Sequence, residues 1–362
     1  MAIPKFDPKE LTIIREEPGM FGGMFPPTPV YDYPATMKDA VNALYRREPY
    51  WQMFALDCKM MSPSVNPDNI ARGFVFEADP FEPIVGKSVP DMFGIEWEYV
   101  PAVGGAMVRP GNPFAEDAEE LLKKIIWPEP EKWDWAGSAK QNEKFFDSES
   151  YYSMCFLNGW FERLISMLDF ENALMAIFDE DQEDAVNEFF TKLTDLYIRI
   201  FGIMIDTYPK LDGFMIHDDW GGQKNTFFSP EVCEKVIVPH MRRTTDYLHS
   251  RGKNCELHSC GSIIQQVPNM IKAGWDSWMP QPMNDSHKIY ELYGDKLIIG
   301  VSPEVNPEGK GEDELRAAAR EYVDKFMKPG KPCFFGFDMV SGNKDFRSEL
   351  YEYSRKRSCG MV

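Results

Sequence analysis

From about residue 150 onward, short apolar runs alternate with amphipathic stretches of helical period. "YYSMCFLNG", "DGFMIHDD", "NCELHSCG", "WDSWMPQP", "KLIIGVSP" and "KPCFFGFD" are brief and end in Gly, Pro or Asp, so each predicts a buried strand. Between them lie "WFERLISML", "ENALMAIFD", "EDAVNEFFTKLTDLYIRIFGIMIDTY", "SPEVCEKVIVPHMRRTTDYLHSRG", "SIIQQVPNMIKAG", "SHKIYELYG" and "GEDELRAAAREYVDKFMKPG". Apolar positions there recur every three or four residues, which predicts helices. Ser229 predicts a helix N-cap and Gly252 the matching stop. Upstream, "ATMKDAVNALYRREP" predicts a helix, "YWQMFALD" a first buried strand, and "AEDAEELLKKI" a helix ended by "WPEPEKWDW". "GMFGGMFPPTPVYDYP" has the chemistry of a loop.

Regular strand–helix alternation predicts parallel strands joined by crossover helices. The number of units favours a closed (β/α)8 TIM barrel with an N-terminal extension; an open doubly wound sheet is the alternative. No strand is followed by GxGxxG or GxxxxGK[ST], the loops that cradle phosphates. The chain reads as one barrel domain over residues 1–362, with 1–50 as an extension packing on it. In such a barrel, chemistry sits at the C-terminal ends of the strands.

Composition narrows the partners. The 58 acidic and 39 basic residues give a net charge of −19. That argues against nucleic acid and against an anionic membrane, which both require a basic face. No stretch approaches the roughly 18 apolar residues of a membrane helix. The N-terminal residues lack the basic-then-apolar pattern of a secretory signal. Seven cysteines, odd in number and scattered, do not form a disulfide framework. The expected location is the cytoplasm. The 26 Phe, 15 Tyr and 9 Trp fit either a large core or an aromatic-lined pocket.

Candidate chemistry collects at the predicted strand ends. His258 and Cys260, two apart, aim an imidazole and a thiol the same way. That pair serves packing or the start of a zinc site. Cys333, placed at the end of the last strand, would make a third ligand and leave the fourth tetrahedral position open, as in catalytic zinc. Asp218 and Asp219, in "HDDWGGQ", are candidate catalytic acids or bases; the alternative is that one caps the loop and the other is solvated. His217, one residue earlier, reads as a packed histidine. Gln223, Gln281, Asn284 and Glu304 are polar groups expected to contact substrate, and Asp338 stands in a similar place.

"FMIHDDWGGQ", "FFSPEVCEKVIVPHMRR", "NCELHSCGSI", "GWDSW" and "KLIIGVSPE" together resemble the uroporphyrinogen decarboxylase superfamily, well over residues 150–340 and loosely before them. The resemblance implies a TIM barrel. Decarboxylases of that superfamily carry an arginine-containing stretch, Met-Arg-Gln-Ala-Gly-Arg, that grips porphyrinogen carboxylates. Here the comparable place reads "YWQMFALDCKM", without arginine. The methyltransferase branch carries His-x-Cys and a distant Cys as zinc ligands, matched here by His258, Cys260 and Cys333. This implies a zinc enzyme that moves a methyl group from a methoxylated aromatic to a corrinoid protein, or from such a protein to a thiol. No corrinoid-binding Asp-x-His-x-x-Gly is present; "DSHKIY" has Asp285 and His287 but Tyr290 in the glycine position. The resemblance therefore implies cobalamin carried by a separate corrinoid protein. A homodimer is compatible with the sequence.

Overall fold

The computed structural model describes residues 3–17, 27–55, 57–102 and 104–362. Its strands are β1 (Ile13–Glu17), β2 (Thr28–Tyr31), β3 (Lys59–Met61), β4 (Ser88–Pro90), β5 (Glu96–Val100), β6 (Gly105–Val108), β7 (Tyr152–Phe156), β8 (Gly213–His217), β9 (Asn254–His258), β10 (Ser277–Trp278), β11 (Ile298–Val301) and β12 (Cys333–Phe335). The α-helices are α1 (Met37–Tyr45), α2 (Pro67–Ala71), α3 (Ala118–Lys124), α4 (Trp135–Gln141), α5 (Trp160–Phe178), α6 (Glu183–Thr207), α7 (Pro230–Val236), α8 (Val238–Ser250), α9 (Val267–Lys272), α10 (Ser286–Tyr293), α11 (Glu312–Phe326) and α12 (Lys344–Ser358). Two compact units are present: unit 1 holds residues 1–58, 149–151 and 277–362, and unit 2 holds 59–148 and 152–276.

In unit 2, β3, β7, β8 and β9 are parallel and run in chain order. Every residue of β7 is buried, as expected of a parallel strand covered on both faces. One face is met by α6, whose buried Val186, Phe189, Phe190, Leu193, Tyr197, Ile200, Phe201 and Met204 fall on one helical stripe. Phe156 of β7 meets the rings of Tyr197 and Phe201, each at 4.8 Å. The aromatics thus go largely into the core; Trp160 and Trp220 are fully buried. A separate antiparallel sheet, β4–β5–β6, lies between β3 and β7 in sequence.

In unit 1, β10, β11 and β12 are parallel, again in chain order. α1 buries Ala40, Val41, Ala43 and Leu44 in a cluster with Trp51, Ile298, Phe334 and Tyr351. β1 and β2 form an antiparallel pair. Short parallel strands in chain order, alternating with helices, make this a TIM-barrel-like α/β fold, as the hydrophobic pattern predicts. Among the described residues, no helix is long and apolar enough to cross a membrane.

Several expectations need correction. The strand expected over 50–57 shrinks to a single bridge, Phe54 with Phe335. Asp57 explains this: its carboxylate accepts the Phe54 N–H at 2.8 Å and its own N–H bonds the Phe54 carbonyl at 3.0 Å, so a turn uses up the groups a ladder needs. The expected loop over 19–34 contains β2; its residues 19–26 lie outside the described ones. The helix expected over 229–252 is broken at Ile237, just before Pro239, which has no N–H to continue it. Its start is as expected, with Ser229 Oγ accepting the Val232 N–H. The paired helices expected over 160–168 and 171–179 are as expected: α5 is two helical segments joined across a kink at Asp169, where φ is 64°.

His240, on α8, packs its ring 5.6 Å from Phe190. Its Nδ1 is buried with no hydrogen-bond partner among the described residues. Burial, and then the nearby Arg243 charge, push its pKa down to about 4. The unfolded chain takes up this proton near pH 6.5 and the folded chain only near 4, so stability is full above that window and falls as pH drops through it. Denaturant unfolding is expected to show a loss of about 1–3 kcal/mol across the window from this residue. His240→Phe should flatten the curve there.

Candidate metal centre

β8 and β9 lie side by side in a register that pairs Gly213 with Asn254 and ends on His217 opposite His258. Both strands are five residues long and both close on histidine. The two rings stack at 4.8 Å with planes 18° apart. Beyond β9 the chain turns back at Gly261, where φ is +94° and an added Cβ would come within 2.3 Å of the Gly221 backbone. The turn leaves Cys260 Sγ 3.6 Å from His258 Nε2. The Cys260 N–H is fixed by Asp219 Oδ1 at 2.6 Å.

Behind His217 stands Glu162, on the first turn of α5. Its Oε2 is 2.5 Å from His217 Nδ1. Asp219 Oδ1 is 3.5 Å from the other ring nitrogen, Nε2. Burial works against a charged Glu162, but the His217 and Arg72 charges outweigh it and hold the carboxyl at about 2. Burial likewise opposes protonation of His217, yet the Glu162 charge raises it above the usual imidazole range. His258 goes the other way: burial, and then the charge on His217, push it down to about 3, which keeps it neutral. Burial and the Asp219 charge push the Cys260 thiol up. Burial also raises Asp219, against the pull of His217.

The donors fit a zinc ion. One atom each from His217, His258 and Cys260 lies within 4.8 Å of the others. Ordinary zinc bond lengths in a tetrahedron separate a sulfur and a nitrogen donor by about 3.6 Å. The Cys260–His258 separation of 3.6 Å matches that edge. His217 commits Nδ1 to Glu162, which leaves Nε2 as its ligand atom; a carboxylate behind a ligating histidine fixes tautomer and ring. An overlapping group, Glu162, His217 and Asp219, provides carboxylates at the same place.

The two aspartates do different things. Asp219 lies against the cluster. Asp218 is fully buried: Oδ1 accepts the Glu162 N–H at 2.9 Å and Oδ2 accepts the Trp220 indole N–H at 2.9 Å. It caps the start of α5, for which Gly159 supplies no side chain. Burial nevertheless pushes its pKa up to about 7.

Cys333 opens β12 instead of ending it, because Pro332 has no N–H and the ladder starts only after it. Its thiol lies near the Gln52 amide at 3.7 Å, the Phe326 carbonyl at 3.7 Å and the Tyr322 hydroxyl at 3.8 Å, all in unit 1. Burial raises it to about 12. Among the described residues it joins no group of metal-ligand side chains. Gln223 is exposed in the loop after β8. In unit 1, Asn284 donates to the Gln281 carbonyl, and Glu304, at φ 57°, reaches within 3.7 Å of His287. Asp338 caps the turn Met339–Gly342 and accepts the Val305 N–H at 2.8 Å. His217, Glu162 and Arg72 are the residues that sequence reasoning misses.

The profile of the uroporphyrinogen decarboxylase (URO-D) family matches residues 153–337, just over half of the chain. The chain belongs to the uroporphyrinogen decarboxylase family. The matched segment runs from the second residue of β7 through β12 and contains His217, His258 and Cys260. Among solved structures, this URO-D-family chain is similar in fold to a methyltransferase from Methanosarcina mazei, with a TM-score of 0.56 and 14% identity over 89% of this chain and 98% of that one. The YdjI aldolase from Escherichia coli K12 matches at a TM-score of 0.20 and 10% identity, over 58% of this chain and 88% of that one, too low to bear on the fold. No match was found among curated proteins.

Removing the Asp218 carboxylate leaves a helix N–H and an indole N–H buried and unpaired. Asp218→Ala should cost about 2–4 kcal/mol in urea unfolding. Asp218→Asn, whose amide oxygen still accepts one of them, should cost less than half as much.

Proposed function

We propose that this URO-D-family chain is a zinc-dependent methyltransferase that moves a methyl group from a methoxylated aromatic to the cobalamin of a separate corrinoid protein. The observation that carries the reading is the His217–His258–Cys260 cluster at the ends of β8 and β9. Likeness of fold to a methyltransferase is in keeping with it. The absence of arginine from "YWQMFALDCKM", and a net charge of −19, weigh against a polyanionic porphyrinogen as substrate.

The donor set bears on what the metal would do. Two neutral imidazoles and one thiolate leave a zinc ion with a net positive charge; two thiolates would cancel it. When bound, such an ion supplies a Lewis acid that polarises the ether oxygen and eases departure of a phenolate. The remaining work falls to the chain. Glu162 holds the His217 ring through Nδ1, and Asp219 pins the Cys260 backbone. Asp219, raised by burial and lying beside the donors, is the group that hands a proton to the leaving oxygen. Asp218 acts through α5 as a positioning residue. Gln223, exposed on the loop after β8, contacts substrate.

The test is an incubation of the zinc-loaded enzyme with cob(I)alamin and a panel of methoxyphenols, read by the absorbance of methylcobalamin, with zinc content measured on the same samples. Wild type should contain about one zinc per chain and form methylcobalamin. His217→Ala, His258→Ala and Cys260→Ser should lose both, and Cys333→Ala should keep its zinc. Loss of zinc in Cys333→Ala would return that cysteine to the ligand set. Methylation of a thiol by methylcobalamin, with no reaction from any aryl ether, would replace this reading with thiol methylation. Carbon dioxide release from a porphyrinogen would replace it with decarboxylation.

A further inference from the structure

Among the described residues, the segment between β3 and β7 contributes no ligand to the cluster, yet it grips the helix that carries Glu162. Arg72, at the C-terminal cap of α2, donates Nη1–H to Asn158 Oδ1 at 2.7 Å and lies 3.7 Å from Glu162 Oε1. Its guanidinium sits over the Trp97 ring of β5, 4.9 Å from the centroid. Trp97 is itself fixed. Its indole N–H donates to Asp91 Oδ2 at 3.0 Å, and the same oxygen accepts Arg163 Nη1–H at 2.6 Å. Arg163 comes directly after Glu162 on α5, and its Nη2 pairs with Asp68. Asp68 also accepts the Met92 N–H and the Asn158 side-chain amide. Asn158 stands at φ 62°, in the left-handed region that asparagine tolerates best after glycine.

Two features make this more than charge balance. Arg163, Asp68 and Asp91 are buried, and taking away one partner of a buried ion pair leaves an uncompensated charge, so the three hold one another in place. A guanidinium over an aromatic face offers planar, forked donors that an ammonium on a flexible stem does not. The result is a relay of contacts from the β4–β6 sheet to the metal-binding ring: Trp97, Arg72, Glu162, His217.

We propose that Arg72, clamped on Trp97, is a positioning residue that sets the orientation of the His217 ring through Glu162, so that the β4–β6 sheet determines the metal affinity of the β8–β9 site. The proposal rests on the metal reading of the cluster, and its test separates the two. Co2+ is titrated into the metal-free protein and followed by its visible d–d bands and dissociation constant, with far-UV circular dichroism as a folding check. Arg72→Met and Arg72→Lys should each weaken Co2+ binding by about 3- to 30-fold, below or within the range for direct partners of ligating histidines. Glu162→Gln should weaken it as well, and adding Arg72→Met to Glu162→Gln should cost nothing further, because the two act in series. Unchanged affinity in Arg72→Met, full rescue by Arg72→Lys, or additive losses in the double variant would overturn the proposal. A wild-type protein that binds no Co2+ would refute the metal reading itself. Imidazole 15N and 1H shifts of the metal-free protein then decide the role of Arg72: the downfield His217 Nδ1–H bonded to Glu162 should persist in wild type and be lost in Arg72→Met, and its persistence in both would overturn the proposal.

Discussion

Two histidines closing adjacent parallel strands in register are brought face to face, and that contact organises the site. Stacked at 4.8 Å in a buried place, the rings cannot both carry charge. The chain resolves the conflict with one carboxylate. Glu162 takes the His217 Nδ1 and stabilises charge there; burial, and then that charge, push His258 down to about 3 and leave it a neutral donor. A neutral imidazole and a thiol 3.6 Å apart are then the two donors that need least rearrangement to accept a metal.

Holding that arrangement takes backbone as much as side chains. The Gly159 N–H donates to the His217 carbonyl at 2.7 Å, and the Asp218 N–H to the His258 carbonyl at 2.9 Å. Gly159 is small by necessity, since a Cβ there would come within 2.4 Å of the Asp218 Cβ. Asp218 then caps α5 and so fixes the helix turn that presents Glu162. Adjacent aspartates thus divide the work: one anchors the helix behind the site and the other faces the donors. A protein with a net charge of −19 concentrates at this point a small mixed set of charges, with Arg72 balancing Glu162.

How much of this the sequence discloses depends on whether the information is local. His258 and Cys260 are legible because residues two apart share a face and one strand end presents both. His217 is not, because alternation within its own strand says nothing of the neighbour across the ladder; only the register of β8 on β9 does. The signal is nonetheless in the chain, as two five-residue strands that both end in histidine. Glu162 hides in a helix that reads as merely amphipathic, although a Glu-Arg pair in an otherwise apolar first turn is the mark of buried ion pairing. Cys333 reads as closing its strand because a short apolar run does not reveal where its ladder begins; Pro332 sets that boundary, and the cysteine opens β12. The β4–β6 sheet is missed because its strands are three to five residues long and partly exposed, too short to show a period. The alternation that defines the barrel is legible throughout the second half because parallel strands and their helices are each single-period segments.

In the proposed site two histidines of adjacent strands and one cysteine would hold the zinc. Zinc K-edge X-ray absorption of the loaded protein reads that ligand set directly. The expected shell is one sulfur at about 2.3 Å with two imidazole nitrogens at about 2.0 Å. Two sulfurs in the shell, or no imidazole beyond a single one, would contradict it.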